Sequence, residues 1–403
     1  MQKKFQLLLI ITLILTLHNN LFANKYFSND INLIKVMPLE VKVGQMLLVG
    51  FSGATFNAEV EEYIKRYHIG GVILFNRSTA TGREPNIVNP KQLIKLNSDL
   101  NKAMAEAIDI PLFIAVDQEG GMVQRLRSSA GFVEGSDYLS AQELGEKDDI
   151  KLTYQVADAM GKNLKHYGIN VNFAPVVDVA LNKENPVVAK IKRSYSSDYK
   201  KVIKHADQTI LGLHNNNIIT ALKHFPGHGS STADSHLGFV DITKTYKNYE
   251  LEPFKVLIKN GYSDMVMSAH LFNYNVDKKY PASLSHEFIT NILRKKLGFK
   301  GLVLSDDLKM KAIEGNWSME EAIILSINAG NDMLIYGNNL GEYNKDFVKN
   351  ATEIIIKAVN EGKIAEETIN NAYLRIMQLK FKYLCNNSNK ACKNNDINIY
   401  NGN

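Results

Sequence analysis

Gly301 to Asp306 reads "GLVLSD", a short β-rich apolar run that ends on a serine and a carboxylate. The same construction recurs along the chain as "QMLLVGF" (45–51), "GGVILF" (70–75), "PLFIAVD" (111–117) and "NVNFAPV" (170–176), then "IITALKH" (218–224), "DMVMSAH" (264–270) and "NDMLIYG" (331–337). These runs are apolar at consecutive positions and do not alternate with polar ones. That is the mark of strands covered on both faces. Helical patterns separate them, among them "NAEVEEYIKRY", "NPKQLIKLNSDLNKAMAEA", "LTYQVADAMGKNLKHYG" and "HEFITNILRKKLGF". Eight strand–helix units predict an α/β fold, a closed parallel (β/α)8 TIM barrel in a single domain over residues 24–384. The segment 343–384 reads as two closing helices, and 385–403 as a polar, disordered tail. An open doubly wound sheet shares the alternation. No G-x-G-x-x-G follows the first strand, so a dinucleotide-binding version has no support.

With 45% hydrophobic residues the chain has material for a large core, and its net charge of +5 is spread among alternating lysines and acids. That is a solvated surface, and no nucleic-acid partner is expected. Residues 1–23 read as a signal peptide: Lys3 and Lys4, a thirteen-residue apolar run from Phe5 to Leu17, then Leu21-Phe22-Ala23 as a cleavage site. The run is short for a membrane span, which takes roughly 20 apolar residues. The expectation is export to the periplasm or medium, with no membrane association once the segment is cleaved; an uncleaved anchor is the alternative. Cys385 and Cys392, the two cysteines, both lie in the tail and suit a local disulfide in an oxidising compartment. The protein is expected to act as a monomer.

Barrel enzymes place their chemistry where the strands end. Here strand three ends in Asp117, Gln118 and Glu119, with Arg125 close behind; strand four leads to Asp178; strand five ends at Lys223-His224. Strand six ends at Ser268-Ala269-His270 and strand seven at Ser305-Asp306-Asp307. Singly, each has a bland reading: Asp117 or Asp307 as a helix cap, His270 as a satisfied buried imidazole. Five strand ends of this kind at one rim point instead to a polar ligand.

After strand five comes "ALKHFPGHGSSTADSHLG" (221–238), with His224, His228 and His236 within thirteen positions. Small polar residues make it a loop able to move, as a lid carrying a catalytic group would. Asp234 and His236, two apart, suit a carboxylate–imidazole pair in which the acid favours the protonated ring and equips it as a general acid. Two chemistries fit. In one, His224, His228, His236, His270 and Asp306 hold a metal that activates water, although the H-x-H pair expected after strand one is absent. In the other, Asp306 is a nucleophile held rigidly at a strand end, Asp234–His236 is the acid/base, and a sugar lies between, gripped by Asp117, Arg125, Lys223 and His224.

At these residues the sequence resembles glycoside hydrolase family 3, and within it the β-N-acetylhexosaminidases. The resemblance rests on "VDQEGGMVQRL" (116–126), "NFAPVVDV" (172–179), "KHFPGHGSSTADSH" (223–236), "VMSAHL" (266–271), "PASLS" (281–285) and "GFKGLVLSDDLKM" (298–310), in order over about 40–340. It implies a (β/α)8 barrel and a retaining mechanism through a covalent glycosyl-enzyme. Asp306 would be the nucleophile and His236 the acid/base, partnered by Asp234. Asp117, Arg125, Arg193, Lys223 and His224 would hold the sugar hydroxyls, with no metal or organic cofactor. The expected activity is exo-acting release of terminal GlcNAc from cell-wall fragments or chitin-like oligosaccharides. A β-glucosidase-type or phosphorolytic member of the same family is the alternative. A catalytically silent sugar-binding barrel is the alternative of a different class, and it would tolerate losing Asp306 or His236, both of which are present. Met122, Lys192 and Lys309 depart from the family pattern, where an arginine, an acid and a small or polar residue are usual. They bear on the leaving-group side.

Overall fold

The structure is a computed structural model that describes residues 37–133 and 136–385. The expected signal peptide, the tail beyond 385 and Cys392 lie outside the described residues. All eight expected strands form: β1 (Leu47–Val49), β2 (Gly71–Ile73), β3 (Phe113–Val116), β4 (Val171–Asn172), β5 (Ile219–Phe225), β6 (Met265–Ser268), β7 (Leu302–Ser305) and β8 (Leu334–Tyr336). Their hydrogen-bonded order is β8-β1-β2-β3-β4-β5-β6-β7, and every named pair is parallel. The seam between β7 and β8 carries a Leu304–Met333 bridge. There Met333 N–H donates to Val303 O at 3.1 Å and Ser305 N–H to Met333 O at 3.0 Å, so the sheet closes on itself. A barrel, rather than the open sheet, is the result.

Every residue of the eight strands is buried, as a sheet wrapped in helices and filled inside requires. Apart from β5, the strands are shorter than the apolar runs. β4 ends at Asn172; Phe173 N–H still donates to Val116 O and Ala221 N–H to Ala174 O, Pro175 has no N–H to give, and a Val176–Lys223 bridge follows. The helices between strands begin where the sequence supplies caps. Asn57 accepts from Glu59 and Val60 N–H, Asn89 from Gln92 N–H ahead of Pro90, and Ser140 and Ser318 form capping boxes with Glu143 and Glu321. Such caps are typically worth ~1 kcal/mol each. The closing helices are Phe347–Asn360 and Glu366–Leu384.

The last helix seals the N-terminal mouth of the barrel. Its Lys380 is fully buried and donates to Gln45 Oε1 at 2.7 Å and Gly70 O at 2.8 Å.

Candidate active site

The C-terminal mouth opens into a cleft of roughly 340 Å³. Its lining includes Asp117, Arg125, Arg193, Lys223, His224, Asp234, His236 and Asp306, which are all the residues the sequence nominated for sugar chemistry; His228 and His270 of the metal reading are not among it. They come from the ends of β3, β4, β5 and β7 and the loop after β5, and only closure of the barrel brings them together.

One wall is a chain of alternating charges. Arg125 Nη2 donates to Asp117 Oδ2 at 2.9 Å, and Lys223 Nζ reaches Asp117 Oδ1 at 2.9 Å and Glu119 Oε1 at 2.6 Å. Arg193 then grips Glu119 with two bonds, Nε to Oε2 and Nη2 to Oε1, both 2.8 Å. Burial alone would raise both carboxyls, but Lys223 with Arg125 for Asp117, and Arg193 with Lys223 for Glu119, more than reverse this. Asp117 falls well below the usual carboxylate range and Glu119 to about 2. Two anions alternate with three cations, so no charge is buried alone; removing one member would cost about 3–5 kcal/mol.

The chain continues into the imidazoles. Arg193 Nη2 lies 3.2 Å from His224 Nε2, and His224 Nδ1 lies 2.6 Å from Asp178 Oδ2. An arginine can only donate, so Nε2 accepts and Nδ1 carries the proton toward Asp178. Both nitrogens of His224 are therefore engaged within the protein. Asp178 is fully buried and also accepts the N–H groups of His224 (3.2 Å) and His228 (2.8 Å). Burial opposes its charge, but His224 above all holds it down to about 2.

The loop after β5 differs from the poorly packed segment its composition suggested. Residues 226–231 are all buried. Small residues are what allow this: a Cβ on Gly229 would stand 1.7 Å from Val179 O. Its polar groups are bonded inward. His228 Nδ1 meets Ser231 Oγ at 2.7 Å, Asn185 Nδ2 donates to His228 O at 2.7 Å, and Ser230 N–H donates to Glu250 Oε2 at 3.1 Å. Burial takes His228 down to about 4, so it is neutral. Only the far part of the loop is open. The His236 side chain is 48% exposed.

There Asp234 Oδ1 accepts from both His236 N–H and His236 Nδ1, each at 2.8 Å. Nε2 is the ring atom left to the cleft. Burial works against the imidazolium, but the Asp234 hydrogen bond and the charges of Asp306 and Asp234 outweigh it and raise His236 above its ordinary 6.5. Asp306 shows the converse. Burial works to raise it, but His270, His224, His236 and the Asp307 N–H, which donates to Oδ1 at 2.8 Å, hold it below the usual range. A carboxylate whose charged form is favoured thus lines the same cleft as an imidazole whose protonated form is favoured. Asp307 beside it is pushed up to about 6, by burial first and by Asp306.

Three features were not nominated by the sequence. Glu119 was noted at its strand end but not as the brace of Arg193 and Lys223. Phe75, Arg77 and Thr79 after β2, and Asn339 and Leu340 after β8, complete the rim; the signal available was that strands two and eight end at the same mouth. Arg125 sits 5.8 Å over the Phe75 ring. His270 takes the bland reading: fully buried, it meets Ser283 Oγ at 2.6 Å and Asp307 O at 2.9 Å. The five-residue metal set does not assemble, since no three His, Cys, Asp or Glu side chains converge as a metal site among the described residues.

Residues 38–379 match the model of the glycosyl hydrolase family 3 N-terminal domain. The chain is 33% identical over 362 residues to the beta-hexosaminidase A of Pseudoalteromonas piscicida, a match covering 85% of this chain and 58% of that protein. It is 36% identical over 294 residues to a beta-hexosaminidase of Photobacterium profundum, covering 73% and 82%. Among solved structures, a glycoside hydrolase family 3 beta-N-acetylglucosaminidase from Paenibacillus sp. str. FPU-7 superposes with a TM-score of 0.78 at 33% identity, over 86% of this chain and 63% of that one. The chain thus spans less than two thirds of the Pseudoalteromonas and Paenibacillus proteins. A family match over residues 38–379, nearly the whole barrel, places this chain in glycosyl hydrolase family 3.

Proposed function

We propose that the protein is a retaining exo-β-N-acetylhexosaminidase that releases terminal GlcNAc from oligosaccharides, by way of a covalent glycosyl-Asp306. The observation that carries the reading is the opposed pair in one cleft: Asp306 held below and His236 held above their ordinary pKa ranges. The names of the similar proteins support the GlcNAc specificity.

In the first step an Asp306 carboxylate oxygen attacks the anomeric carbon while His236 Nε2 gives its proton to the departing glycosidic oxygen. In the second, His236 takes a proton from water, the resulting oxygen attacks the anomeric carbon, and the bond to Asp306 breaks. Asp234 keeps the ring oriented and favours its charge throughout. Asp117, Arg125, Arg193, Lys223 and His224 form the wall against which the terminal sugar is held, mutually braced before it arrives. An imidazole replaces one of the two carboxylates of the usual glycosidase scheme. The natural substrates are cell-wall fragments or chitin-like oligosaccharides, met outside the cytoplasm after cleavage of the signal peptide. N-terminal sequencing of protein from cell fractions tests that location, and a full-length cytoplasmic product would contradict it. For the chemistry, a fluorinated slow GlcNAc substrate should label the peptide carrying Asp306. Labelling at Asp307, or undiminished turnover by Asp306→Ala, would refute the assignment.

A further inference from the structure

Asp306 stands where the backbone ladder of the barrel is thinnest. β6 and β7 pair over four residues, whereas among the described residues β7 and β8 share the single Leu304–Met333 bridge. Side chains supply much of the rest of that seam. Asp332 Oδ2 accepts Val303 N–H at 2.8 Å, and Ser305 Oγ accepts Ile335 N–H at 3.1 Å. The two flanks of Asp306 differ accordingly. Toward β6 its own N–H donates to Ser268 O at 2.9 Å. Toward β8 the link runs through the residues that follow it. Leu308 N–H donates to Ile335 O at 3.0 Å, and the Asp307 side chain reaches Gly337, just past the end of β8.

Asp307 is held at every polar atom. Its N–H donates to Asp306 Oδ1 at 2.8 Å, and its carbonyl accepts from Met310 N–H and His270 Nε2, both at 2.9 Å. Its Oδ1 accepts Lys309 N–H at 3.0 Å, and the Gly337 N–H favours the charge of the same carboxyl. Oδ2 lies so near Gly337 that a Cβ there would stand 2.6 Å from it. Fixing this one residue fixes the direction of the N–H that bonds Asp306.

We propose that Asp307 is a positioning residue: its carboxylate clasps the turn after β7 to Gly337 across the seam, and thereby keeps its own N–H on Asp306 Oδ1 and the other Asp306 oxygen aimed for attack. The proposal rests on the hydrolase reading above. A nucleophile works only within a narrow range of distance and angle, and a 1 Å misplacement can cost about 10²-fold. Asp307 also lines the cleft. The experiment must therefore separate aiming the nucleophile from touching the sugar.

The time course of labelling by the fluorinated slow GlcNAc substrate does so. Its amplitude counts folded sites, its rate constant reports attack by Asp306, and its half-saturating concentration reports sugar binding. Partial unfolding lowers the amplitude alone. Asp307→Asn keeps the size of the side chain but sets an NH2 against one of the two backbone N–H groups. Gly337→Ala keeps Asp307 and pushes its Oδ2 aside. Gly337 has no left-handed backbone, so alanine suits it, and the atom it meets first is the end of a side chain that can yield. Each variant should lower the saturating rate constant about tenfold and leave the half-saturating concentration within threefold of wild type. A rate constant within twofold of wild type in either variant overturns the clasp. A raised half-saturating concentration with an unchanged rate constant makes Asp307 a sugar contact and overturns it too. Failure of the wild-type protein to be labelled at Asp306 would bring down the hydrolase reading, and this proposal with it.

Discussion

Asp178→Asn exchanges one oxygen for an NH2 without changing the size of the side chain, and its effect can be followed atom by atom. In the native protein one carboxylate oxygen accepts two backbone N–H groups, from His224 and His228, and the other meets His224 Nδ1 at 2.6 Å. If the asparagine keeps its oxygen on the backbone pair, its NH2 faces Nδ1–H. The ring must then move its proton to Nε2, which brings two donors together at the 3.2 Å contact with Arg193. If the amide turns the other way, two buried backbone N–H groups lose their acceptor. Either arrangement leaves at least one buried donor opposed, at about 1–3 kcal/mol, and loses a charge-assisted bond of about 1.5–3 kcal/mol. Arg193 meets the sugar-binding wall at Glu119, so part of this should appear as misplacement of that wall. We expect kcat/KM for an aryl β-N-acetylglucosaminide to drop roughly 10–100-fold, as 1.4–2.8 kcal/mol implies. The imidazole ¹⁵N shifts of His224 should report the altered tautomer. Activity within twofold of wild type, with the native tautomer retained, would refute the relay from Asp178 to Arg193.

His236→Ala should slow glycosylation by natural oligosaccharides about 10²–10⁴-fold but barely slow nitrophenyl donors, which leave unprotonated, and azide should partly restore turnover; equal losses on both donors would exclude His236 as the acid. Because His236 is raised above 6.5 and Asp306 is held below 3.8, kcat/KM should stay high between these values, falling on the alkaline side as His236 loses its proton and on the acid side as Asp306 gains one. Asp234→Asn should move the alkaline limb to lower pH, and an unmoved limb would assign it to another group. Lys380 is lowered well below 10.5 by burial, so between the folded and unfolded values the unfolded chain binds more protons and stability rises with pH. Lys380→Met should flatten that rise in urea midpoints measured at neutral and at mildly alkaline pH; the same slope in both proteins would contradict a buried neutral amine.

The eight strands and their parallel, two-sided burial were legible in the sequence because an unbroken apolar run is a local signal: residues covered on both faces have no polar side to show. The rim was legible for the same reason, since a charge placed directly after such a run lands at the strand end wherever the strand goes. Asp117, Lys223, His224 and Asp306 could be nominated that way, and Asp234–His236 because its two members are neighbours in sequence. The roles of three similar histidines could not be told apart. His228 is sealed against Ser231 and driven neutral, His224 is clamped between Asp178 and Arg193, and only His236 reaches the opening. Composition made their loop look loose, yet its first half is pinned, because a glycine that approaches Val179 O is indistinguishable in sequence from one that merely bends. Glu119 and Arg193 are 74 positions apart and Lys223 lies 30 beyond Arg193, and no periodicity links them. Their alternating chain of charge exists only when the barrel closes, since a buried ion is tolerable only beside its counter-ion and that neighbour is supplied by the fold.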